Sequence, residues 1–225
     1  RRNLACTYIV EDNGTYGLTK GQFAATADVG SVQKRGTVNT YEPIDLCTMA
    51  ITLGGTFVAR SFSGDGKQLV PLLKAAISHR GVAVLDVISP CVTFNDHEGS
   101  TKSYEWVKDH EEAIQDPSFI PYYEEVLVDY EPGTTTDVRL HDGSHLMLRK
   151  LHESEHDPTD RGAALRVIEE GRRTKQLVTG LLYVEPEAED FSTRERLPER
   201  PLRDSAEAEL RLTREQFDQV MAERA

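Results

Sequence analysis

Short β-rich runs alternate with helical patterns along residues 6–88, and few architectures accept that order. Cys6-Thr7-Tyr8-Ile9-Val10 reads as a buried parallel strand, and Glu11-Asp12-Asn13-Gly14 ends it with turn formers. Asp45 is placed to cap a helix through Leu46, Ile51 and Leu53, closed by Gly54-Gly55. Thr56-Phe57-Val58-Ala59-Arg60 reads as the next strand. Asp65 or Gly66 opens a helix over residues 67–79, where Leu69, Leu72, Leu73, Ala76 and Ile77 keep helical spacing and Gly81 follows. Pro71 is tolerable there because it falls near the first turn. Residues 82–88 form another buried strand. Strand–helix alternation of this kind predicts a parallel, doubly wound sheet. Such sheets put ligands beyond the C-terminal ends of their strands. The glycine-bearing segment 15–22, directly after the first strand, is therefore the first place to look for a site.

Beyond Pro90 the pattern changes. Residues 93–103 are polar and loop-like, and 104–114 read as a helix. Residues 136–140 and 145–151, around Asp142-Gly143, look like a hairpin. Residues 158–175 read as a helix with Pro158 near its first position, and 176–184 as an edge strand. From Glu185 the chain is dense in charge, ending in an expected amphipathic helix over 205–225 with Leu210, Leu212, Phe217 and Val220.

Net charge is −12, which argues against a general nucleic-acid binder, since that function needs a concentrated basic face. A mean hydropathy of −0.48 fits a soluble protein with a core. The apolar runs are too short to cross a bilayer, and the start has no hydrophobic signal core, so a cytoplasmic protein is expected. Three widely spaced cysteines, Cys6, Cys47 and Cys91, make neither a disulfide framework nor a complete four-cysteine metal site from this chain alone. Cys6, inside a strand, and Cys47, inside a helix, are expected to be core residues.

The run Asp12-Asn13-Gly14-Thr15-Tyr16-Gly17-Leu18-Thr19-Lys20-Gly21-Gln22 resembles the second half of the thiamine-diphosphate motif in β subunits of 2-oxoacid:ferredoxin oxidoreductases. Ser89-Pro90-Cys91-Val92-Thr93-Phe94-Asn95 also resembles that family, in which this run carries one thiolate of a 4Fe–4S cluster. The resemblance implies that Asn13, through its amide oxygen, and Thr15, through its backbone carbonyl, are ligands of Mg²⁺, a cation that demands hard oxygens. Gly14 and Gly17 let the backbone bend toward the cofactor, and the N–H groups of Gly17 and Leu18 bind diphosphate oxygens. Leu18 and Lys20 face the substrate, Lys20 holding a carboxylate as a point charge. Thr19 and Gln22 are supporting donors, and Tyr16 lines or packs against the cofactor. Cys91 ligates the cluster. The family's preceding Gly-Asp-Gly half is not in this sequence, so the chain is expected to be the C-terminal portion of a longer subunit.

Two other patterns carry no site. His152-Glu153-Ser154-Glu155-His156 fits H-E-x-x-H, but Asp157-Pro158 ends any helix there, so it reads as a chance match in a charged connector. Gly64-Asp65-Gly66 follows Asn13 instead of preceding it and reads as a helix-capping turn. The stretch with His97, Lys102 and Tyr104 also resembles the family and has no assigned role.

The resemblance implies a thiamine-diphosphate-binding α/β fold over residues 1–115, a C-terminal α+β extension over 116–192 and a charged tail over 193–225. It implies CoA-dependent oxidative decarboxylation of a 2-oxoacid, with 2-oxoglutarate favoured, using thiamine diphosphate, Mg²⁺ and a 4Fe–4S cluster. The implied partners are an α subunit and ferredoxin. Three alternatives stay open: a pyruvate-specific or broad-range oxidoreductase, a non-oxidative decarboxylase, and a non-catalytic interaction subunit. The Cys91 run argues against the decarboxylase.

Overall fold

Residues 2–18, 21–31, 36–89, 126–139, 145–198 and 200–223 are described by the structure, a computed structural model. Its strands are β1 (Cys6–Asp12), β2 (Thr15–Tyr16), β3 (Gln22–Phe23), β4 (Phe57–Phe62), β5 (Val82–Ile88), β6 (Thr135–Arg139), β7 (His145–Lys150) and β8 (Leu177–Val184). Its helices are α1 (Leu46–Leu53), α2 (Gly66–Ser78), α3 (Arg161–Arg173), α4 (Phe191–Arg194) and α5 (Arg214–Ala222). The expected helix over 104–114 lies outside the described residues.

The local start and stop signals act as expected. The Asp45 side chain accepts the Thr48 N–H at 2.6 Å, and Gly54 closes α1 at φ 92°, where an L side chain would be strained. Asp65 caps α2 through the Gln68 N–H at 3.1 Å, so Gly64-Asp65-Gly66 is the capping turn.

Among the described residues the strands form a sheet in the order β1-β5-β4-β8-β7-β6. β1, β5 and β4 run parallel, with Asp12 beside Ile88 and Arg60 beside Asp86. β8 is antiparallel to β4 and parallel to β7, and β6 closes an antiparallel hairpin with β7. The sheet is therefore mixed, with mostly parallel pairs. Helices cover both faces, as a doubly wound sheet requires. Ile51 of α1 and Val167 and Ile168 of α3 pack with Val58, Val178 and Leu182 on one face. On the other face, Ala76 of α2 packs with Phe57, Ala59, Ala83, Leu85 and Val87. Each fully buried Ile or Leu contributes about 1.5–3 kcal/mol to this core.

Several expectations need correction. β1 is a parallel strand but lies at the sheet edge among the described residues, with Tyr8 and Ile9 exposed. Cys6 is consequently exposed and not in the core, whereas Cys47 is buried. Residues 177–184 do not form an edge strand: β8 sits between β4 and β7, and its composition, apolar on both faces, is that of a doubly covered strand. α3 begins after Asp160, whose carboxylate accepts the Gly162 N–H at 2.7 Å, so Pro158 stands before the cap and not at the first helical position. The last helix is α5 alone: Thr213 and Gln216 form a capping box that starts it late, and Glu207–Glu209 makes only a 3₁₀ turn. No side chain of α5 is buried, so its apolar residues have nothing to dock against among the described residues.

Candidate functional site

The chain leaves the C-terminal end of β1 at Asp12 and turns at once into the short β2–β3 hairpin. Two successive side-chain caps shape this turn. Asp12 Oδ1 accepts the Gly14 N–H at 3.3 Å, and Asn13 Oδ1 accepts the Thr15 N–H at 2.9 Å. Gly14 has φ 67°, which the Asx geometry needs and a side chain would strain. The Ala24 N–H donates to Gly14 O at 2.9 Å, making Thr15–Phe23 a non-hydrogen-bonded pair of the ladder. The Thr15 carbonyl is thereby left outside the hairpin ladder.

These features fit a cation and a diphosphate. Asn13 Oδ1 spends one lone pair on Thr15 and keeps another. The Thr15 carbonyl stands two residues on, both hard oxygens suited to Mg²⁺. Thr15 Oγ1 is buried with no hydrogen-bond partner among the described residues, an orphan that a bound polar group would satisfy. Tyr16, Gly17 and Leu18 are exposed, and Leu18 stands 99% free of packing, although a large apolar side chain normally finds cover. Thr19 and Lys20 lie outside the described residues.

The neighbouring strand ends at the same place. Ser89 N–H, just past β5, donates to Asp12 O at 2.8 Å, so the chain toward Pro90 departs beside the turn that holds Asn13. Cys91 itself, with the run through Asn95 and residues His97, Lys102 and Tyr104, lies outside the described residues. Among the described residues, no group of three or more His, Cys, Asp or Glu side chains could hold a metal. His152 Nδ1 contacts Ser154 Oγ at 2.8 Å while His156 Nε2 contacts Leu182 O at 2.9 Å, so the two histidines do not converge.

Sequence reasoning did not single out a buried ionic cluster beside this edge. Arg60, 3% exposed, donates from Nε to Asp86 Oδ2 at 2.8 Å and from Nη2 to Asp45 Oδ2 at 2.6 Å. Burial pushes the Asp86 carboxyl up, and the Arg60 guanidinium only partly offsets this. For Asp45 burial also acts upward, but Arg60 and the Thr48 N–H prevail and hold it below the usual carboxylate range. Burial raises the Cys47 thiol well above its ordinary value, so this cysteine is inert packing. An arginine and an aspartate, each the sole charge in its strand, were the available signal for this pairing. Asp12 and Thr26 were also missed as a pair: Thr26 Oγ1 donates to Asp12 Oδ1 at 2.5 Å.

Residues 1–87 match the family described as "Thiamine pyrophosphate enzyme, C-terminal TPP binding domain". Over residues 1–87, the parallel β1-β5-β4 arrangement and its flanking helices are thus similar to the thiamine-diphosphate-binding class. A 2-oxoacid:ferredoxin oxidoreductase subunit beta from Saccharolobus solfataricus is 43% identical over 122 residues, 54% of this chain and 39% of that one. One from Aeropyrum pernix is 41% identical over 133 residues, 58% of this chain and 41% of that one. A 2-oxoglutarate oxidoreductase subunit KorB from Mycobacterium tuberculosis is 37% identical over 97 residues, 43% of this chain and 26% of that one. A solved 2-oxoglutarate:ferredoxin oxidoreductase from Magnetococcus marinus, with 2-oxoglutarate, coenzyme A and succinyl-CoA bound, superposes with a TM-score of 0.58 at 26% identity, covering 88% of this chain and 54% of that one. Over these stretches the chain is similar to 2-oxoacid:ferredoxin oxidoreductase β subunits. The matched stretches span about two fifths or less of the length of these curated relatives. No helix among the described residues is long and apolar enough to cross a membrane.

Proposed function

We propose that the chain is the cofactor-bearing part of a β subunit that, with an α subunit, oxidatively decarboxylates a 2-oxoacid, foremost 2-oxoglutarate, in the presence of CoA and passes the electrons to ferredoxin. The observation that carries this reading is the turn at the end of β1, where Asn13 Oδ1 and the Thr15 carbonyl stand two residues apart next to a buried, unpartnered Thr15 hydroxyl. Thiamine diphosphate would supply the nucleophilic carbon and the electron sink for decarboxylation. Asn13 and Thr15 would hold Mg²⁺, and the backbone N–H groups of Gly17 and Leu18 would receive diphosphate oxygens. The exposed Leu18 side chain would cover the substrate and exclude water, and Lys20 would orient its distal carboxylate. Cys91 would give one thiolate to a 4Fe–4S cluster, the remaining ligands coming from outside this sequence. The Ser89–Asp12 hydrogen bond supports that assignment, because it holds Ser89, the residue before Pro90, beside the cofactor turn. Residues 116–192 would extend the cofactor domain, and 193–225 would be a tail that serves assembly.

The test is CoA-dependent viologen reduction by the full-length subunit assembled anaerobically with its α partner, comparing 2-oxoglutarate with pyruvate. Faster reduction with 2-oxoglutarate is expected. Reduction with pyruvate alone would keep the reaction class and overturn the substrate. No reduction with either, in a complex containing thiamine diphosphate and iron, would refute both activities. Asn13→Ala should abolish Mg²⁺-dependent cofactor retention.

A further inference from the structure

We propose that Thr26 is a positioning residue for the cofactor turn, its hydroxyl holding the Asp12 carboxylate so that Asn13 and Thr15 face a single cation. This rests on the thiamine reading above. Thr26 Oγ1 donates to Asp12 Oδ1 at 2.5 Å across fourteen positions of sequence. The same oxygen accepts the Gly14 N–H, but at a long 3.3 Å. The carboxylate therefore has one short donor and one weak one. It sits immediately before Asn13, whose own oxygen caps Thr15. Rotation of the Asp12 side chain would release Gly14 and loosen both metal-facing oxygens together.

Thr26 is itself held from behind. Asn39, 6% exposed, donates from Nδ2 to the carbonyls of Ala27 at 2.9 Å, Asp28 at 3.1 Å and Tyr41 at 3.1 Å. Asn39 Oδ1 accepts the Tyr41 N–H at 3.1 Å. The turn after Thr26 is thus pinned by a buried amide that serves the backbone alone. Ala27 is buried, and a side chain at Gly14 would come within 3.6 Å of its Cα, so the two turns pack directly on each other. Asn39 fixes the 27–28 backbone, that backbone places Thr26, and Thr26 orients Asp12.

Thr26→Val keeps the side chain's shape and removes only the donor; Thr26→Ser keeps the donor. The full-length subunit with its α partner is titrated with Mg²⁺ in thiamine diphosphate, and retained cofactor is measured after gel filtration. Melting is measured separately without cofactor. A hydrogen bond to a charged group contributes enough that the Mg²⁺ needed for half-maximal retention should rise about tenfold in Thr26→Val. Thr26→Ser should stay within about twofold of the parent, and cofactor-free melting should not change. Parent-like Mg²⁺ dependence in Thr26→Val overturns the proposal, as does a Ser variant no better than the Val variant. A Val variant that melts early without cofactor would make Thr26 a general stabiliser and also overturns it. A parent complex that retains no thiamine diphosphate at any Mg²⁺ concentration would instead defeat the thiamine reading beneath it.

Discussion

Replacing Arg60 by Met should destabilise the subunit by about 3–5 kcal/mol at pH 7.5, the cost of leaving a buried charge uncompensated. Asp86 is 1% exposed; its carboxylate accepts from Arg60 and the weak Cys47 thiol, and its Oδ1 has no partner among the described residues. Asp45 should contribute less of the loss, because it is partly exposed and keeps the Thr48 N–H. The pH dependence follows from the direction of the Asp86 shift. Burial already raises this carboxyl in the fold, and Arg60 opposes the rise. Without Arg60 the folded pKa climbs further above the unfolded value of about 3.9. A carboxyl raised in the fold favours the protonated native state, so native stability falls as pH climbs from the unfolded toward the folded pKa. The deficit of Arg60→Met should therefore be largest at pH 7.5 and shrink at pH 5, as Asp86 takes up its proton. Arg60→Met with Asp86→Leu, which removes both charges and keeps the branched outline, should recover to within about 1–2 kcal/mol of the parent. Urea-unfolding midpoints at the two pH values measure all of this. A single-variant loss below about 1 kcal/mol, or a deficit that grows on acidification, would refute the reasoning.

Three further outcomes are expected. Gly64→Ala should cost about 1–3 kcal/mol or more and speed limited proteolysis near residues 126–130, because its Cβ would stand 1.8 Å from the Val126 carbonyl oxygen, which is backbone. Burial lowers the His79 pKa, so the native state resists its protonation and loses stability as pH falls through the unfolded value toward the folded one; His79→Gln should flatten the fall in melting temperature between about pH 7.5 and 5.5. Deleting residues 198–225 should leave the melting temperature of the subunit nearly unchanged, since the described side chains of α5 are all unburied, but should reduce co-purification of the α subunit. Undiminished assembly would remove the tail from that role.

The features legible in the sequence were those set by neighbours along the chain. Asp45, Gly54 and Asp65 act on backbone groups within a few positions, so their roles could be read before any tertiary contact was known. The turn at Asn13 is legible for the same reason, being closed by residues 12–15. Strand neighbours were not legible. Composition suggested a buried β1 and an edge strand at 176–184, but only pairing decides which lies at the edge, and it reverses both: β1 is outermost among the described residues and β8 has a partner on each side. The Arg60–Asp86 pair depends on β4 and β5 running side by side in register. Thr26 carries no local signal at all, because its partner Asp12 is brought to it by the β2–β3 hairpin.

The place of β8 also sets an order of events during synthesis. Arg60 on β4 pairs with Gly180 on β8, and the strand that covers β4 on that side is among the later parts of the chain to emerge. At ordinary elongation rates the wait between them is on the order of 10 s, long compared with local helix or hairpin formation. Throughout that interval the side of Phe57–Phe62 that will pair with β8 has no strand partner. An unpaired β4 edge invites wrong pairing until β8 arrives, so early termination within residues 126–176 should lead to aggregation.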